Sequence, residues 1–93
     1  MKIQLQHPTG KKAVSIDKAK YDVLKKHVLN CLKIKEEATH ADMLQSITNE
    51  FKKSKLEFTG SVEWYMEWVK LDLEAKKKIK RISNTSPIKF ILV

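Results

Sequence analysis

Apolar residues recur at three- and four-residue spacing in three stretches of the chain, and each stretch opens on a capping residue. Tyr21, Leu24, Val28 and Leu32, joined by Cys31, fall on one face of a helix that begins near Asp17, a good N-cap. Lys18, Asp22, Lys25 and Lys26 fall outside that stripe. Thr39 opens the second stretch, with Asp42 favourably placed in the first turn as a short stand-in for the usual capping-box Glu or Gln. Met43, Leu44, Ile47 and Phe51 then define a helix ending at Lys52 and Lys53. The third begins at Ser61, after the turn Thr59-Gly60-Ser61, and runs to about Lys76. It is apolar on two sides: Val62, Tyr65, Met66, Val69 and Leu73 on one, Trp64, Trp68, Leu71 and Ala75 on the other. A narrow strip of Glu63, Glu67, Lys70 and Glu74 runs between them.

Period two replaces this pattern near the end of the chain. Ile79-Lys80-Arg81-Ile82 and Ile88-Lys89-Phe90-Ile91-Leu92-Val93 read as two strands joined by the polar turn Ser83-Asn84-Thr85-Ser86-Pro87. Ile3 and Leu5 alternate with polar residues and offer a third strand to join that hairpin. The expected fold is therefore α+β and mostly helical, one domain over residues 1–93, since 93 residues leave no room for a second core.

Composition narrows the function. A 42% hydrophobic and 32% charged chain with two Gly and two Pro is globular rather than disordered or fibrous. One cysteine, Cys31, excludes an intrachain disulfide and a Cys-rich zinc site and points to a reducing compartment. The first residues carry no apolar run of signal-peptide or membrane-spanning length, so the expectation is a cytoplasmic protein without membrane contact. The net charge of +8 is unevenly spread. Residues 58–75 hold Lys70 against Glu63, Glu67, Asp72 and Glu74, whereas residues 76–93 hold Lys76, Lys77, Lys78, Lys80, Arg81 and Lys89 and no acid.

Leu73-Glu74-Ala75-Lys76-Lys77-Lys78-Ile79-Lys80-Arg81 resembles the stretch where the third helix of winged helix-turn-helix regulators turns into the wing, and three helices followed by a two-stranded ribbon is the order of such domains. Those domains usually carry Gly at this turn, so Lys77 or Lys78 is expected to take positive φ here. Asp17-Lys18-Ala19-Lys20-Tyr21 and the run from Trp64 to Lys76 also resemble a family of small uncharacterised bacterial proteins. That second resemblance supports the fold and brings no activity with it.

Two functional readings follow. In the first, the basic wing grips the phosphates of double-stranded nucleic acid through Lys76, Lys77, Lys78, Lys80, Arg81 and Lys89, with Lys70 the one contributor from the helix. Base reading from the third helix is disfavoured, because its polar strip is acidic and lacks the Arg, Asn or Gln that contact base edges. In the second, Trp64, Trp68 and Leu71 form a protein-interaction or homodimer surface. Each competes with a plainer account: lysine runs as solvated surface, tryptophans as core.

Enzyme chemistry finds little support. His7, His27 and His40 fall on three segments with no metal-ligand spacing, so neither metal nor cofactor is expected. Cys31 and His27 are one helical turn apart but lack an orienting third group, and Cys31 is on the inner face. Gly10 and Gly60 stand alone and make no phosphate loop.

Overall fold

The capping and periodicity signals translate directly into the three helices of the computed structural model, which describes residues 1–82 and 84–93. The element order is β1 (Lys2–Gln4), β2 (Ser15–Asp17), α1 (Lys18–Lys35), β3 (Glu37–Thr39), α2 (His40–Lys53), α3 (Val62–Ala75), β4 (Ile79–Ile82) and β5 (Lys89–Leu92). Thr39 and Asp42 complete a reciprocal capping box: the Asp42 N–H donates to Thr39 Oγ1 and the Thr39 N–H to Asp42 Oδ2, both at 3.1 Å. Those bonds hold the Asp42 carboxyl below the usual range. Ser61 Oγ caps α3 by accepting the Trp64 N–H at 3.2 Å. Asp17 occupies the cap position of α1 but makes no side-chain cap bond; its backbone is paired with Lys2 instead.

Two helices end in the same device. After α3 the Lys78 N–H bonds the Leu73 carbonyl and the Lys77 N–H bonds that of Glu74, with Lys77 at φ +60°. After α2 the Leu56 and Lys55 N–H groups bond the Phe51 and Lys52 carbonyls, with Lys55 at φ +56°. Both are Schellman turns with lysine where glycine is usual, and each left-handed lysine costs about 1–2 kcal/mol of local strain. The expectation for the α3 turn is met at Lys77. Gly60, at φ +94°, is needed for a second reason: a Cβ there would meet the Tyr65 ring at 2.9 Å.

The predicted C-terminal hairpin forms, with Arg81 opposite Phe90 and Ile79 opposite Leu92. Ser83, the first residue of its turn, lies outside the described residues. The third strand of that sheet departs from the sequence reading. The N-terminal strand exists, but it pairs antiparallel with Ser15–Asp17 in a separate two-stranded sheet. The free edge of β5 is taken by β3, between the first two helices, giving the order β3-β5-β4. α1 ends at Lys35, and Glu36, at φ +68°, leads the chain into the extended Glu37–Thr39 that pairs with the open edge of β5.

The core is where the three helical stripes meet the middle of this sheet. Leu24, Val28, Leu32, Met43, Ile47, Met66, Val69 and Leu73 are buried, with Ile79 and Phe90 closing it from the hairpin. Cys31 packs among them as a small apolar side chain, and the His27 ring meets Phe51 edge-on at 5.6 Å.

Candidate interaction surfaces

The outward side of α3 carries the tryptophans. Trp64 is 47% exposed and Trp68 half-buried, so the second apolar face is neither core nor fully open. They meet edge to face with centroids 6.4 Å apart; Trp64 also packs on Tyr65 at 5.0 Å and Trp68 on His7 at 6.5 Å. Phe51, Phe58 and Tyr65 continue the contact inward at 5.5 and 5.4 Å, so an unbroken aromatic path leads from the core to Trp64. Lys20 fastens the middle of that path, its ammonium 4.6 Å from the Tyr65 centroid and bonded to the Thr59 carbonyl at 2.8 Å. The Trp64 indole is thus packed on two aromatic rings along its inner edge while its outer edge faces solvent. Leu71, half-buried, extends the same side.

The acidic strip of α3 stays at the surface but is tied to its neighbours. His40, at the start of α2, sits between Glu63 (Nε2 to Oε2, 3.0 Å) and Glu67 (Nδ1 to Oε2, 3.2 Å). The second approach is too oblique for a hydrogen bond and leaves the buried Nδ1 without one among the described residues. Lys70, expected as an exposed contact, is instead 3% exposed. The hairpin folds over that edge of α3: the ammonium lies 4.2 Å from the Phe90 centroid and 3.3 Å from Glu67. Burial pulls its pKa below the usual lysine value, against the opposing pull of Glu67. His40, Lys70, Arg81, Ile88 and Phe90 line a cavity of about 410 Å³ whose charges are already largely matched.

The hairpin cations divide into two groups. Arg81 makes two hydrogen bonds to Glu74, at 2.9 and 3.1 Å, and Lys89 pairs with Glu37 at 2.8 Å. Lys76 pairs with Asp72 at 2.9 Å. Lys77, Lys78 and Lys80 are exposed and form no ion pair among the described residues.

Asp72, read in the sequence as one of the acids of residues 58–75, is fully buried and accepts from three separate parts of the chain. The Gln6 N–H donates to Oδ1 at 2.9 Å, the Tyr21 hydroxyl to Oδ2 at 2.6 Å, and the Lys76 ammonium to Oδ2. Burial first, then the bond to Asp72, raises the Tyr21 pKa. Burial alone would lower Lys76, but its bonds to Asp72 and Tyr21 outweigh that and raise it. Both folded values lie above the unfolded ones, so their contribution is fully present below about pH 10 and disappears as pH rises through the folded values. Urea midpoints are expected to stay flat to about pH 9.5 and fall above pH 10, with a shallower fall in Tyr21→Phe. An equal fall in that variant would show that the loss arises elsewhere.

The sequence family described as "Family of unknown function (DUF6958)" matches residues 2–90. The chain belongs to DUF6958. No curated protein and no solved structure matches it. Among the described residues of this DUF6958 member, no group of three or more His, Cys, Asp or Glu could hold a metal ion. No described helix is long and apolar enough to cross a membrane.

Proposed function

We propose that this chain is a non-enzymatic, winged-helix-like domain that binds another protein through the outward side of α3. Three helices followed by a hairpin, with the Schellman turn at Lys77 between them, support the architecture. The observation that carries the function is the pairing of an exposed, pre-positioned Trp64 with Glu63 and Glu67, while Lys70, the one cation of α3, is turned inward. Aromatic anchors are what protein interfaces use, and acids beside them repel phosphate.

A photo-crosslinking amino acid at Glu63, 61% exposed, tests this in cells. The expected result is a covalent adduct to a discrete polypeptide, either a second copy or another protein. Trp64→Ala should reduce it several-fold while shifting stability by no more than about 1.5 kcal/mol. A nuclease-sensitive adduct, or equal labelling from Asn49 on α2, would overturn the reading.

Duplex binding by the hairpin is the second reading, favoured by Lys77, Lys78 and Lys80, exposed and without an ion pair among the described residues. Titration of random duplex DNA at rising salt separates the two. Three phosphate contacts give a log–log slope of about −2.7, lost on reversing those charges. No binding at low salt removes this reading.

A further inference from the structure

We propose that the groove between α1 and the end of the β4–β5 hairpin is a binding site for an anionic amphiphile, an aliphatic chain ending in a carboxylate. The groove has a volume of about 600 Å³, within the range of small-molecule sites. Leu29, Leu92 and Val93 supply an apolar floor, and Lys26, Lys33 and Lys78 stand around it. None of the three ammonium groups is in an ion pair with an Asp or Glu among the described residues.

An apolar floor within a ring of unpaired cations fits a ligand that carries both characters. Nucleic acid satisfies only the rim, since the floor offers no aromatic ring for a base to stack on. A second copy meeting groove to groove would oppose the same three lysines on a chain of net charge +8. A partner helix needs anchors over several turns, whereas Lys26 to Lys33 spans only about 10 Å of helix axis. A flexible acyl chain of that length lies on Leu29 and Leu92 and leaves its carboxylate at the lysines.

Amide NMR titration of the ¹⁵N-labelled chain with sodium decanoate, below its micelle-forming concentration, tests this. Saturable shifts are expected at Leu29, Lys33 and Leu92. Hexanoate, four methylenes shorter, should bind about tenfold more weakly if two of those methylenes are buried and up to about 250-fold if all four are, since each buried methylene contributes about fourfold. Decanol should also bind about tenfold more weakly for want of the charge. Lys26→Glu/Lys33→Glu, both at solvent-facing positions, should lose decanoate with the rest of the spectrum unchanged. Absence of saturable shifts, equal binding of decanol, or shifts centred on the Trp64–Trp68 ridge would overturn the proposal. So would a Leu/Glu-patterned peptide that shifts these amides when decanoate does not, which would assign the groove to a polypeptide.

Discussion

Asp72→Ala is expected to lower the free energy of unfolding by about 3–5 kcal/mol. The carboxylate joins the segment after β1, α1 and α3 through Gln6, Tyr21 and Lys76, and no part of it reaches water. Its removal leaves the buried Tyr21 hydroxyl without its acceptor, at about 1–3 kcal/mol, strips the partly buried Gln6 amide of its partner, and opens a cavity in the core. Lys76 is less affected, because its side chain is 32% exposed and water can take over. A domain of this size has about 5–10 kcal/mol to lose, so the variant should be largely unfolded in modest urea. The double cycle is more specific: in a Tyr21→Phe background the cost of Asp72→Ala should shrink by at least about 1 kcal/mol. Additive costs, or a single-variant loss under about 1 kcal/mol, would mean that the carboxylate does not join the three elements as described.

At Lys70, substitution by methionine and by glutamate should have opposite consequences. Lys70→Met is expected to stay within about 1 kcal/mol of the parent, since a thioether chain of similar length keeps the contact with Phe90 and removes a desolvated charge. Lys70→Glu should cost about 3 kcal/mol or more, placing a buried anion beside Glu67 with Glu74 nearby. Urea unfolding at neutral pH measures both. Lys70→Met carries a functional consequence too: if duplex DNA binds, its affinity should be unchanged, because the ammonium is not at the surface. A marked loss of DNA affinity in a fully folded Lys70→Met protein would restore Lys70 as a phosphate contact.

The parts of the fold governed by local chemistry were legible in the sequence. Stripes such as Tyr21-Leu24-Val28-Leu32, the caps Thr39 and Ser61 and the left-handed lysine after α3 depend on neighbours within a few residues. β3 was not legible: Glu-Ala-Thr has no strand pattern, and it becomes a strand because β5 presents an open edge. Lys70 was misplaced for a related reason. Its position on the helix wheel is polar, and only the hairpin folding across α3 decides that this edge is covered. Asp72 did leave a signal, since it lies three residues after Val69 and directly before Leu73, on the inner arc, where a lone acid needs partners. The tryptophans fell between the two accounts offered for them: their inner edges pack on Tyr65 and His7 while Trp64 faces solvent.

The strand order β3-β5-β4 also bears on how the sheet closes. β3 lies between the first two helices, but among the described residues its one strand partner is β5, which also carries the core residue Phe90. The sheet is therefore completed only by a contact that spans about fifty residues of chain, so its loop closure carries a larger entropy cost than the adjacent β4–β5 hairpin, and the pairing of β3 depends on β5 being in place.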